Sequence, residues 1–357
     1  MRWKGKCRDE NRIMNQEINL LVRPAIRELK PYSSARDEYS GDGGGMIFLD
    51  ANENPFDTGV NRYPDPHQRK LKEQVSALRG VGTEKILIGN GSDEVLDLLF
   101  RVFCEPRRDA VITLPPTYGM YKVLANVNTV GHIEVPLTTA FQPDVDEILR
   151  HSGEHTKILF LCSPNNPSGN LLDRSLVLEL LERFPGLVVI DEAYIDFAGD
   201  EGYVPLLEAY PRLVVTQTLS KAYGLAGIRV GICLANPAVI NFLKRVKPPY
   251  NVNELSQRAA LDALKETGRI EVMIREIKNE REQLRKALSE IPLVKELFPS
   301  DANFILARVD HAELRYRQLI GKGIVVRDRS GQLHCENTLR FTVGTPEENA
   351  VLLRTLR

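Results

Sequence analysis

The sequence has no basic excess, no long apolar run and few cysteines, and each shortage excludes a class of protein. Its 47 lysines and arginines face 48 aspartates and glutamates, a formal net charge of −1, whereas a nucleic-acid surface needs a pronounced positive balance. No stretch approaches a transmembrane span. The charged opening residues are interrupted by Asp9, Glu10 and Asn11 with no apolar core after them, so they do not read as a secretory signal. Five cysteines (Cys7, Cys104, Cys162, Cys233, Cys335) are odd in number and never form a CxxC pair, and the six histidines lack metal-ligand spacing. Free thiols in a reducing cytosol fit this pattern better than disulfides or a zinc site, which makes the cytoplasm the expected location. Internal repeats are also missing. The glycine-rich run Ser40-Gly41-Asp42-Gly43-Gly44-Gly45 has no helix start after it and reads as a connector rather than a phosphate loop.

What is present is chain enough for about two domains, 357 residues. From Lys85 to Leu234, short apolar strands alternate with amphipathic stretches. Ile86–Ile88 leads to a helix over Asp93–Cys104, then to a strand at Ala110–Leu114. Ile158–Leu161 leads to Asp173–Arg183 and then to Leu187–Ile190. Such near-continuous apolar strands predict a parallel sheet covered on both faces. The helix Ala238–Val246 ends before Pro248-Pro249, and the patterns Glu254–Lys265 and Ile270–Ile291 follow. The second is dense in charge and predicts a bridge to a smaller α+β unit, with strands at Phe304–Val309, Ile324–Val326 and Leu339–Val343.

The run Thr218-Leu219-Ser220-Lys221-Ala222-Tyr223-Gly224-Leu225-Ala226-Gly227-Ile228-Arg229 follows the apolar strand Leu213–Thr216. A lysine at a strand end, with two hydroxyls before it and an arginine after it, suits a covalently held phosphorylated aldehyde. A solvated loop lysine is the plainer reading of the run alone. Two further segments bear on it. Val188-Val189-Ile190-Asp191-Glu192-Ala193-Tyr194 is a strand ending in a carboxylate, and Leu159–Cys162 runs into the amide-rich turn Ser163-Pro164-Asn165-Asn166-Pro167-Ser168-Gly169. Gly89-Asn90-Gly91-Ser92-Asp93-Glu94 joins a strand to a helix N-terminus, which suits an anion but equally a plain capped helix. Lys221, Asp191, Asn166 and Gly91 all follow predicted strand ends and so can meet on one rim of the sheet.

These motifs, in this order over nearly the whole chain, resemble the pyridoxal-phosphate-dependent aminotransferases of the aspartate aminotransferase fold, type I. Leu49-Asp50-Ala51-Asn52-Glu53-Asn54-Pro55, Asn61-Arg62-Tyr63-Pro64-Asp65-Pro66 and Pro115-Pro116-Thr117-Tyr118-Gly119-Met120-Tyr121 are similar to the histidinol-phosphate aminotransferase family, of the class II subgroup. The resemblance implies an α/β fold with a mostly parallel seven-stranded sheet flanked by helices, plus the smaller α+β domain. It divides the chain into an N-terminal arm that joins the small domain (1–48), a large cofactor-binding domain (49–252) and a small C-terminal domain (253–357). Residues before about Leu20 look like an addition to the family pattern, with Met14 a candidate start.

The resemblance also implies roles. Pyridoxal 5′-phosphate would be tethered to Lys221, which moves the Cα proton of the substrate. Its phosphate would sit among Gly91, Ser92, Asp93 (through its main-chain amide), Thr218, Ser220 and Arg229, with Tyr63 reaching it from the neighbouring subunit of a homodimer. Asp191 would hold the ring nitrogen protonated, Asn166 and Tyr194 would donate to the phenolic oxygen, and Tyr118 would stack on the ring. Arg340 would fork onto the substrate's carboxylate or phosphate, helped by Arg327 and Tyr32, with Asn166 nearby. The implied partners are histidinol phosphate, glutamate and 2-oxoglutarate, in histidine biosynthesis. Taken singly, these residues have plainer readings: Asp191 as a helix cap, Tyr63 and Tyr118 as packing in turns, Arg340 as a surface charge. An aromatic-amino-acid aminotransferase or a threonine-phosphate decarboxylase is the alternative on the same scaffold. A regulator that only senses the cofactor is the remoter one, and nothing ahead of Leu49 shows the helix-turn-helix such proteins carry.

Overall fold

The computed structural model describes residues 16–31 and 46–357; Tyr32 and the 40–45 connector lie outside the described residues. Seven strands form the larger sheet: β1 (Ile86–Asn90), β2 (Ala110–Thr113), β3 (Gly131–Glu134), β4 (Thr156–Cys162), β5 (Leu187–Asp191), β6 (Leu213–Thr218) and β7 (Val230–Ala235). Their order is β1-β7-β6-β5-β4-β2-β3. β2, β3, β4, β5 and β6 pair in parallel, whereas β7 runs antiparallel to both β6 and β1. The sheet is mostly parallel, as the alternation of strands and helices predicts.

Side chains that alternate along a strand point to opposite faces, and both faces here are buried. Ile88, Ile112, Leu159, Leu161, Ile190 and Val215 enter one core with the helices Arg69–Arg79 and Arg174–Arg183. Leu87, Val111, Ile158, Phe160, Val189 and Val214 enter the other with Ser92–Phe103 and Pro237–Val246. In that second layer Phe160 stacks between Phe100 and Tyr121, at ring centroids of 5.4 and 4.8 Å. This sandwich holds Tyr121 under the rim of the sheet. Phe160→Ala is expected to cost about 3–5 kcal/mol of stability in a denaturant titration, by loss of buried area and an unfilled cavity.

The helix Thr267–Ser289 puts Ile270 into the first of these cores and Leu284 and Leu288 into a third. That third core underlies a four-stranded antiparallel sheet of β8 (Val294–Leu297), β9 (Phe304–Val309), β10 (Arg327–Asp328) and β11 (Thr338–Thr342), in the order β10-β11-β9-β8. The strand expected at Ile324–Val326 is absent. Those residues form a connector with Val325 81% exposed, and pairing begins only at Arg327, opposite Arg340. Apolar composition suggested a strand there, but the ladder depends on where a partner strand is available. No helix among the described residues is long and apolar enough to cross a membrane.

Candidate active site

In a parallel sheet the rim at the carboxyl ends of the strands gathers loops from several strands. Here it forms a cleft lined by Ser92, Asp93, Tyr118, Asn166, Asp191, Tyr194, Thr218, Ser220, Lys221 and Arg229, with Cys162 and Ala193. Because β7 is antiparallel, its first end reaches the same rim, and this brings Arg229 opposite Gly91.

Lys221 sits in a tight loop after β6, closed by Leu219 N donating to Val230 O, Leu225 N to Leu219 O and Gly224 N to Lys221 O. Its amine lies 5.9 Å from the centre of the Tyr194 ring. Desolvation by the pocket walls, with Arg340 and Arg229 nearby, holds its pKa below the ordinary lysine value.

Asp191 ends β5 at the floor, 3% exposed. It accepts hydrogen bonds from Tyr121 Oη at 2.8 Å and from Ala193 N at 3.2 Å. Burial raises its pKa to about 6 against those two donors. The site thus holds a buried carboxylate with no cation paired to it, poised to prefer a positively charged ligand atom. Tyr121 was quoted in the sequence motif without a role. Its position one helical turn after Tyr118 was the available signal.

At the cup, the helix begins at Ser92 with Gly91 in the cap position at φ +80°, where no side chain occupies the first free amides. A Cβ on Gly91 would lie 2.6 Å from Arg229 Nη2, and one on Gly231 would lie 2.3 Å from Ser92 N. Only bare backbone allows this closeness. Glu94 fixes the turn, accepting from Asn90 N at 2.5 Å and Asn251 Nδ2 at 2.7 Å. Arg229 reaches Ser220 Oγ at 3.5 Å and Asp93 Oδ2 at a loose 3.6 Å, while Asp93 Oδ1 accepts from Tyr118 Oη at 3.0 Å. Thr218 Oγ1 donates to Val230 O at 3.3 Å and accepts from Ser220 N at 3.1 Å. Free amides, a hydroxyl and a guanidinium without a tight carboxylate partner form an anion cradle.

On the opposite wall, Arg340 in β11 donates through Nη1 to Asn166 Oδ1, which leaves Asn166 Nδ2 for a further acceptor. Its guanidinium lies 4.9 Å from the centre of the Phe304 ring, and its Nε is buried without a partner. Tyr194 packs edge-on to Phe304 at 5.2 Å. Arg327 is exposed, opposite Arg340 in the ladder. Tyr63 is not brought to this cleft within the chain. It is 51% exposed, stacks on Tyr250 at 4.4 Å and lines a separate hollow with Val60 and Leu255.

These residues fit a phosphorylated pyridine aldehyde: a cradle for its phosphate, a buried carboxylate for its ring nitrogen and an amine for its carbonyl. An α/β sheet with this rim lysine defines a class of enzymes, and residues 47–356 match the family described as aminotransferase class I and II. The chain belongs to that family. It is 58% identical over 342 residues to the histidinol-phosphate aminotransferase of Flavobacterium johnsoniae, covering 96% of this chain and 98% of that protein. Among solved structures it is similar to the histidinol-phosphate aminotransferase of Clostridium acetobutylicum, with a TM-score of 0.77 and 26% identity over 84% of this chain and 90% of that one. The histidinol-phosphate aminotransferase of Sinorhizobium meliloti in complex with pyridoxal-5′-phosphate shares the fold, with a TM-score of 0.76 and 23% identity over 83% and 82%.

Proposed function

We propose that this chain is a pyridoxal-phosphate-dependent aminotransferase that moves an amino group between histidinol phosphate and 2-oxoglutarate, in the cytoplasm, as a step of histidine biosynthesis. One observation carries the chemistry. A single amine, unpaired among the described residues, has two arginines as its cationic neighbours, Arg229 beside Ser220 at the anion cradle and Arg340 beside Asn166 on the small-domain wall. Such a cleft suits two anionic groups with a reacting carbon between them. One anion is the cofactor's phosphate, and the other is the phosphate or distal carboxylate of the donor.

The cofactor, when bound, supplies the electron sink that lets a Cα–H bond release its proton. Gly91, Ser92 and Asp93 amides with Thr218, Ser220 and Arg229 would hold its phosphate, Asp191 its ring nitrogen, Asn166 and Tyr194 its phenolic oxygen, and Tyr118 its ring face. Lys221 Nζ takes the proton from the substrate's Cα. Its lowered pKa keeps more of the amine neutral, and so able to accept a proton, than an ordinary lysine would allow. Arg340 orients the donor through its fork. In a spectral titration, glutamate should bleach the absorbance of the bound cofactor and imidazole-acetol phosphate should restore it. Recovery with phenylpyruvate instead would replace the substrate and keep the reaction class. Release of carbon dioxide from threonine phosphate would point to the decarboxylase.

The homodimer rests on separate features. Ile47, Leu49, Phe56 and Val60 are exposed apolar residues in the segment leading to Tyr63, and an exposed apolar stretch of this kind marks a contact surface. The second subunit would bring Tyr63 to the cofactor's phosphate. Tyr63→Phe is then expected to loosen the cofactor about 10-fold, the loss of one hydrogen bond to a charged group, with dimerisation intact. Dialysis against phosphate buffer and light scattering check the two parts, and unchanged cofactor retention would remove Tyr63 from the site.

A further inference from the structure

The small-domain wall of the cleft carries more positive charge than a single carboxylate can use. Arg327 and Arg340 are directly opposite in the β10–β11 ladder, and Arg329 continues it, its N–H donating to Thr338 O at 2.9 Å. Opposite residues, and residues two apart, share a face, so three guanidiniums crowd one side of this ribbon. The other side belongs to the core through Leu339 and Phe341. Like charges placed opposite one another destabilise a strand pair. Even so, no carboxylate pairs with any of the three among the described residues. Asp328, between Arg327 and Arg329 in sequence, directs its carboxylate to Ser330 N at 2.8 Å.

Arg329 is the half-buried member that the sequence motifs did not single out. Its Nε is buried without a partner. Of ten such side-chain atoms among the described residues, four belong to Arg329, Ser330, Gln332 and Arg340. Arg329 and Arg340 both act on the Tyr194 phenol, and Tyr194 lines the cleft beside Lys221. A carboxylate brings one charge and two oxygens, which one arginine fork satisfies. A phosphomonoester brings nearly two charges and three terminal oxygens.

We propose that Arg329 is a further binding residue for the phosphate of the amino donor, and that it sets the preference for a phosphorylated amine over a carboxylate-ended one. The proposal rests on the functional reading above and assigns the discrimination within it. Holoenzyme carrying Arg329→Gln tests it, with melting by circular dichroism as a control because the ladder bond of Arg329 is backbone. The expected result is a rise of about 10-fold or more in KM for histidinol phosphate, with kcat and both glutamate constants near wild type. Arg329→Lys should recover part of the affinity, since it keeps the charge and loses the fork. If the glutamine variant fails to fold, the lysine variant carries the same comparison.

A ratio of kcat/KM for the two donors that stays at the wild-type value overturns the assignment. If the wild-type enzyme turns over no phosphorylated amine, the functional reading fails, and calorimetric titration of holoenzyme with inorganic phosphate then decides the residue. Unchanged affinity in Arg329→Gln overturns its role, and weakened affinity sustains it.

Discussion

Replacing Lys221 with alanine is expected to lower turnover by about 10,000-fold or more, the upper range for removing a positioned proton carrier, and more if the covalent tether also counts. The chain should stay folded. The loop around Lys221 is closed by the backbone bonds of Leu219, Leu225 and Gly224, none of which involves the amine. Indeed the cofactor-free variant should melt no lower than wild type at pH 7. A lysine whose pKa is lowered by folding costs stability while it is charged in both states. That cost persists at low pH and fades only as pH rises from the folded-state value toward the higher unfolded-state one. Alanine removes it. The variant should also lose the ability to retain cofactor after borohydride reduction and dialysis, which separates loss of the tether from general damage. Turnover at the wild-type rate would reject the assignment of Lys221.

How legible this site was depended on whether a residue's position follows from one strand or from two. Asp191 ends an apolar strand and Lys221 and Asn166 lie a few residues past the ends of two others, and a parallel sheet sends all such ends to one rim, so their convergence could be read from the pattern alone. Arg229 required knowing that β7 reverses direction, which the apolar run Val230–Ala235 does not reveal. Tyr121 depends on helical phase after Gly119 together with the Phe160 stack. Arg329 depends on the register of a two-residue edge strand, and the misplaced strand at Ile324–Val326 hid it. Local patterns give the apolar period, whereas the pairing of a short edge strand is decided by the strand it meets. The core followed similar lines: both faces of β4, β5 and β6 are buried, as their unbroken apolar runs require.

Asp191→Asn is expected to move activity and stability in opposite directions. Turnover should fall about 100- to 1,000-fold, as when one preorganised electrostatic partner is removed from an active site. A neutral carboxamide cannot hold a ring nitrogen in its protonated form. The shape is nearly unchanged and the Tyr121 hydroxyl can still donate to the side-chain oxygen, so the loss reports charge rather than packing. Stability of the cofactor-free protein should rise instead. Burial raises the carboxyl's pKa from 3.8 to about 6, so the folded state bears a cost whenever both states are ionised, above pH 6. Each pKa unit corresponds to about 1.4 kcal/mol, which puts the expected gain of the asparagine variant at about 3 kcal/mol at pH 8. That gain should shrink as pH falls from about 6 toward 4, where the wild-type group takes up its proton. A residue serving only the fold would leave the rate of the loaded enzyme near wild type on this change, whichever way stability moves, since its partners Tyr121 and Ala193 belong to the fold. Denaturant titrations of both cofactor-free proteins at pH 5 and pH 8, alongside holoenzyme rates, separate the cases. A stabilised but slow variant is what a carboxylate kept buried for a cationic ring atom requires, and a destabilised variant with wild-type rate would place that ring elsewhere.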